Sequence, residues 1–169
     1  MHEEVIFKQM KFIRQRTIAV IDATTEEVAE VIPAGFKNNI RWNLGHIFVA
    51  QENLMNSFVG GTPELPASFL EMFSFNTNPG LWKTTPPTLL ELKTLLEEQP
   101  VRLQEKFSGR LIEKGVKPFK LSEETQFDYL EEVVSFSNWH EGLHQGAITS
   151  LKRAQGIEEL WTAVAGIKK

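Results

Sequence analysis

The sequence predicts an all-α protein, an antiparallel four-helix bundle formed by one domain over residues 1–169. Three observations carry this. Four segments repeat apolar residues at spacings of three and four, the period of one helix face. The stretches between them are broken by Pro, Gly and Asn, the residues of turns and stops. The second and third connections are long enough to carry functional loops, and bundles of this kind build their sites in the core between facing helices.

The first helix is expected over about Glu3 to Asp22, with Ile6, Met10, Ile13, Thr17 and Val20/Ile21 along one stripe. Thr24 and Glu27 have capping-box spacing, so a short second helix is expected there, ending near Pro33-Ala34-Gly35. The next long helix runs from about Trp42 to Val59, with Trp42, His46, Val49 and Asn53 on one face and Gly60-Gly61 as its stop. Thr62 to Thr85 reads as an irregular connection, yet it holds Phe69, Met72, Phe73, Phe75, Leu81 and Trp82. A connection that apolar must pack on something, and short helical turns over a cavity are expected, with Phe69, Phe73 and Trp82 as walls. Pro86-Pro87-Thr88 opens a third long helix to about Phe107, in which Pro100 predicts a kink or break. Leu111 to Phe119 reads as loop or, at most, a short hairpin. The last long helix is expected from the Ser122-Glu123-Glu124-Thr125 region to about Ala154, and the tail, Ile157 to Lys169, has room for one more short helix.

Composition excludes several classes. There is no cysteine, so disulfides, thiolate ligands from the chain and a cysteine nucleophile are ruled out. Net charge is −4 with no basic cluster, which argues against nucleic acid as a partner. No apolar run approaches the ~20 residues of a membrane span. The acidic start Met1-His2-Glu3-Glu4 does not resemble a secretory signal, so a cytoplasmic protein is expected.

The chemistry concentrates in the histidines. His140 and His144 lie four apart in Asn138-Trp139-His140-Glu141-Gly142-Leu143-His144-Gln145. On a helix that spacing points both imidazoles the same way, about 40° apart around the axis and about 6 Å apart along it. This suits two corners of a tetrahedral metal site. His46, from a facing helix, supplies a third and leaves one position open, as catalytic zinc sites do. The plain alternative for His46 alone is a packed core residue, but two imidazoles on one face are costly to bury without partners.

His140-Glu141-Gly142-Leu143-His144 also matches H-E-x-x-H, in which the glutamate serves as general base. Against a protease stand the glycine within the motif and the 25 residues left after His144. Glu141 remains the candidate base of a hydrolase. Asn53 and Ser137 are open as partners that orient the imidazoles, whereas Asn43 reads as an N-terminal helix residue. Trp42 and Trp139 lie next to candidate ligands, and Gln145 reads as scaffold.

The segments Trp42-Asn43-Leu44-Gly45-His46-Ile47 and His140-Glu141-Gly142-Leu143-His144-Gln145-Gly146-Ala147-Ile148 resemble the DinB-like superfamily. Its pattern W-x-x-G-H-[IL] is met by Trp42, Gly45, His46 and Ile47. Its pattern H-x-x-x-H-x-G-x-[IL] is met by His140, His144, Gly146 and Ile148. The resemblance implies a down-up-up-down four-helix bundle with one divalent metal, zinc or nickel, on His46, His140 and His144. It further implies an S-transferase that uses a low-molecular-weight thiol (mycothiol, bacillithiol or glutathione) on an electrophilic small molecule, and a homodimer. Many relatives carry a basic residue directly after the second ligand of the pair, and this chain has Gln145 there. A metal-dependent hydrolase and a non-catalytic stress-response binding module with the same site are the alternatives.

Overall fold

The computed structural model describes residues 3–162; His2 and the end of the tail lie outside the described residues. The described chain is mostly helical. Helix α1 spans Glu3–Asp22, α2 Glu26–Glu30, α3 Ile40–Glu52, α4 Phe69–Phe73, α5 Leu89–Phe107 and α6 Leu130–Ala154. An antiparallel hairpin of β1, Lys114–Lys120, and β2, Gln126–Tyr129, joins α5 to α6. The last helix therefore begins at Leu130 rather than near Ser122, because the intervening residues pair with β1. Among the described residues no helix is long and apolar enough to cross a membrane.

Local chemistry explains the helix starts. Thr88 and Glu91 form a reciprocal capping box at α5. Asn39 caps α3, its Oδ1 accepting from the Trp42 amide at 2.8 Å. Thr25, one residue past the expected position, caps α2, while the Thr24 hydroxyl bonds back to the Val20 carbonyl at 2.6 Å. α3 runs on into a π-helical turn over Asn53–Ser57, and Gly60, at φ 77°, then reverses the chain. Residues 157–162 are not helical; the Thr162 amide binds the Ala19 carbonyl at 2.9 Å and the Arg16 guanidinium covers the Trp161 ring.

The four long helices pack side by side, α1 against α5 and α6, and α3 against the same two. Along α1 and α6 the partners rise together, Asn138 with Ile6, Gln145 with Ile13, Lys152 with Ala23. Along α3 and α6 they run in opposite order, Asn43 with His144 and Gln51 with Ser137. α5 follows α3, with Arg41 on the Pro87 carbonyl and Gln99 on the Phe48 carbonyl.

The core is two apolar clusters. One includes Val20, Leu44, Phe48, Phe73, Leu92, Leu96 and Ile148; the other includes Ile6, Met10, Met55, Leu103, Phe107 and Val134. On each long helix the change from one to the other falls at a buried polar residue: Arg14, Gln51, Gln99 and Glu141. A polar layer thus crosses the bundle. Twelve of the thirteen residues of α3, all but Ala50, are buried, so a histidine in its middle is enclosed from the start.

Pro100 does not break α5, which continues through it. A proline lacks the N–H that would bind the carbonyl four residues earlier. That carbonyl, of Leu96, instead accepts from Arg14 Nη1 at 2.7 Å. The loss within the helix is made good by a side chain from α1.

Candidate metal centre

The three predicted histidines converge. His46 comes from α3, and His140 and His144 from successive turns of α6. Their ring centroids lie 5.2 Å (His46–His140), 4.8 Å (His46–His144) and 4.6 Å (His140–His144) apart. One nitrogen of each lies within 4.8 Å of the others. Zn–N bonds of about 2.0–2.1 Å put tetrahedral ligand nitrogens about 3.4 Å apart, so an ion requires a closure of no more than about 1.4 Å.

Hydrogen bonds select which nitrogen would face an ion. His46 Nδ1 lies 2.6 Å from the Phe73 carbonyl oxygen, which only accepts. The proton is therefore on Nδ1 and the Nε2 lone pair is free. His144 Nδ1 lies 2.7 Å from Asn43 Oδ1. The Asn43 amide nitrogen is committed to the Asn39 carbonyl at 2.7 Å, so its oxygen must face the imidazole and accept. His144 thus also presents a free Nε2. Such outer partners fix tautomer and ring angle in metal sites. The chain offers two oriented neutral imidazole donors plus a third, and this donor set fits a divalent transition metal.

Asn43 holds the orienting role that Asn53 and Ser137 were candidates for. Ser137 instead accepts from Gln51 Nε2 at 3.2 Å, in the polar layer. The signal for Asn43 was its place three residues before His46 and four after the true cap, Asn39. The Phe73 carbonyl is backbone and has no sequence signature.

Trp42 stacks on His46, with ring centroids 4.6 Å apart and planes within 10°. Its indole N–H donates to Thr77 Oγ1 at 2.9 Å. The Thr62–Thr85 connection therefore holds the site at two points, through Phe73 and Thr77. Phe69, Met72 and Phe73 of this connection are buried core residues, whereas Phe75 and Leu81 are exposed. The half-buried Trp82 donates its indole N–H to the Met72 carbonyl at 3.1 Å. Gly45 makes the approach of Phe73 possible: a Cβ there would lie 2.4 Å from the Phe73 ring. Trp139 is 59% exposed and touches Phe136, outside the ligand cluster.

Glu141 is placed elsewhere. It is buried, its Oε1 accepts from Arg14 Nε at 2.8 Å and from Thr17 Oγ1 at 2.6 Å, and its Oε2 accepts from Arg14 Nη2 at 3.0 Å. Both oxygens are committed to α1. Gln145 is scaffold, donating to the Ile13 carbonyl at 2.7 Å and to Thr17 Oγ1 at 2.8 Å.

Burial lowers the basicity of all three imidazoles. His140 is pushed down to about 4, by burial first and then by His46, with Glu141 opposing. His144 is pushed down to about 3 by burial, His46 and His140. His46 is lowered by burial against the pull of the Phe73 carbonyl. At neutral pH all three are uncharged, as metal ligands must be.

Two outcomes are expected. His144→Ala should abolish tight binding of a divalent ion, and Asn43→Leu should weaken it by roughly 10–100-fold while the protein stays folded; competition titration with a chelating dye measures both. Equal affinity for Asn43→Leu and the parent would remove Asn43 from the site. The second concerns pH. Below about pH 6.5 the unfolded chain takes up protons on these imidazoles, whereas the native chain resists until about 4 and 3. The metal-free protein should therefore hold this stability above pH 6.5 and lose it progressively as the pH falls. Urea midpoints at pH 7.5 and pH 5 should differ more for the parent than for His140→Asn/His144→Asn; an equal difference would contradict the account.

No curated protein matches the sequence. The family model of the DinB superfamily matches residues 9–148, which contain both histidine motifs and all four long helices in whole or large part. The chain belongs to the DinB superfamily.

Proposed function

We propose that this protein is a metal-dependent S-transferase that joins a low-molecular-weight thiol to an electrophilic small molecule, with zinc or nickel on His46, His140 and His144. The observation that carries the reading is the donor set: three neutral imidazoles, with no cysteine in the chain and, among the described residues, no carboxylate in the cluster. A divalent ion held by His46, His140 and His144 would act as a Lewis acid that lowers the pKa of a thiol brought to it. The chain's part is to keep the imidazoles neutral and aimed. Phe73 and Asn43 hold two of the rings, and Trp42 shields one face of His46 from water. His140 and His144 are only half-buried, which leaves the centre a side open to a cosubstrate.

The transfer itself forms a bond from sulfur to the electrophilic carbon while the leaving group departs with its bonding pair. The thiol proton passes to solvent, so the chain needs no general base. The hydrolase alternative does need one, and Glu141 is held by Arg14 and Thr17. Gln145 spends its amide on α1, so an acidic cosubstrate finds no cation at that position. A cytoplasmic location agrees with this chemistry, since small thiols stay reduced there.

The same reading takes the whole chain, residues 1–169, as one domain with its long helices in down-up-up-down order. The paired contacts of α1 with α6 and of α3 with α5 and α6 support that order. It also takes the protein as a homodimer. The outer α1–α6 face supports this, for Phe12, Trp139 and Leu143 are about half exposed there beside Gly142.

The function is tested with untagged protein loaded with Co(II). Bacillithiol, mycothiol or glutathione should each be titrated in turn. At least one should add a sulfur-to-cobalt absorption band and then be consumed with a model electrophile only when metal is present. Metal binding with no thiol band for any of the three would favour the binding module instead. Light scattering checks the assembly: Trp139→Glu should halve the mass of the parent, and a parent already monomeric would exclude the dimer.

A further inference from the structure

Among the described residues, the side chain that donates the most hydrogen bonds is Arg14. It projects from α1 and is 3% exposed. A guanidinium has five N–H donors in a rigid plane. Arg14 makes five bonds with them: Nε to Glu141 Oε1 at 2.8 Å, Nη2 to Glu141 Oε2 at 3.0 Å and to Gln51 Oε1 at 2.9 Å, and Nη1 to Gln99 Oε1 at 3.0 Å and to the Leu96 carbonyl at 2.7 Å. One residue of α1 therefore grips α3, α5 and α6 together.

The grip falls at the level of the metal centre. Glu141 directly follows His140 and precedes His144 by three. Gln51 follows His46 by five and passes its own amide to Ser137, three residues before His140. A bidentate fork fixes angle as well as distance, which a single charge does not. Held on Glu141, it stops α6 from rolling about its axis. Held on Gln51, it ties that setting to α3. A small roll or slide of α6 would part the His140–His144 pair from His46, and metal ligands must be placed to within a few tenths of an ångström.

We propose that Arg14 is the positioning residue of the metal centre: through Glu141 and Gln51 it sets the rotation and register of α6 against α3, and with them the separation of the three imidazoles. This rests on the reading of the histidines as metal ligands. It gives Glu141 its place in the H-E-x-x-H string, as the handle by which α6 is held.

The test separates positioning from stability. Arg14→Met/Glu141→Met removes both charges at once, so no lone buried ion is left behind. Leu103→Ala is the control, since it cuts a cavity in the other apolar cluster and lowers stability without removing a hydrogen-bonding group of the polar layer. Arg14→Lys keeps the charge and loses the fork. Each variant is titrated with Co(II) alone, reading affinity and the visible ligand-field spectrum, beside thermal unfolding. The double variant and Arg14→Lys should bind Co(II) at least tenfold more weakly than the parent, with altered spectra. Leu103→Ala should melt lower yet keep the parent's affinity and spectrum. Parent-like affinity and spectrum in Arg14→Lys, or in a folded double variant, would overturn the proposal. Loss of Co(II) binding in Leu103→Ala as well would overturn it too, by making the effect one of stability. If the parent itself fails to bind Co(II), the metal reading falls and takes this proposal with it.

Discussion

Three imidazoles share the α3–α6 contact, and the rest of the molecule is arranged around keeping them there uncharged. Burial drives each toward the neutral form, but a neutral imidazole still has a donor and an acceptor to satisfy. Two of the donors are met by the Phe73 carbonyl and the Asn43 side chain. Each has its own consequence. Phe73 must come close to α3, so position 45 must lack a Cβ. Asn43 must point its oxygen one way only, so the Asn39 carbonyl takes its nitrogen and the Asn39 side chain caps the helix. The Nε2 acceptors of His46 and His144 remain, and one nitrogen of each of the three histidines lies within 4.8 Å of the others, an arrangement that a cation would suit.

The same contact accounts for the polar layer. An arginine and a glutamate buried together cost desolvation that their attraction only partly returns, and removing one partner of such a pair typically costs about 3–5 kcal/mol. An apolar pair would hold the bundle together as well. What apolar packing does not supply is direction. The Arg14 fork meets a carboxylate, two amides and a carbonyl at fixed angles, and the carbonyl is free only because Pro100 leaves it so. A residue that would ordinarily interrupt α5 becomes one of the anchor points of its neighbour.

Much of this was legible in the sequence, and the limits have physical causes. The long helices are visible because their apolar stripes repeat at the helical period, and the histidines because an i,i+4 pair puts two imidazoles on one face of a helix. Asn43 was hidden by a local motif: an asparagine near a helix start ordinarily caps, and here the cap is Asn39, four residues earlier. Glu141 shows the opposite limit. Its neighbours His140 and His144 supply a catalytic context, whereas its partner Arg14 stands 127 positions away and leaves no trace in local spacing. The start of α6 was misjudged because Ser122 to Thr125 offers good capping chemistry; pairing of β1 with β2 outweighs it. The apolar residues of the Thr62–Thr85 connection indicate packing, which holds for Phe69, Met72 and Phe73 but not for the exposed Phe75 and Leu81. They do not announce that its backbone, through the carbonyl of Phe73, is what touches His46.

The central claim is that three imidazole nitrogens, and no carboxylate, hold one ion with a position left over. X-ray absorption at the metal edge of untagged, metal-loaded protein tests it most directly. The account predicts one ion per chain, multiple-scattering features of three imidazoles at about 2.0–2.1 Å, and one further light atom that gives way to sulfur when thiol is added. A spectrum showing fewer than three imidazoles, or a ligand sphere unchanged by excess thiol, would contradict it.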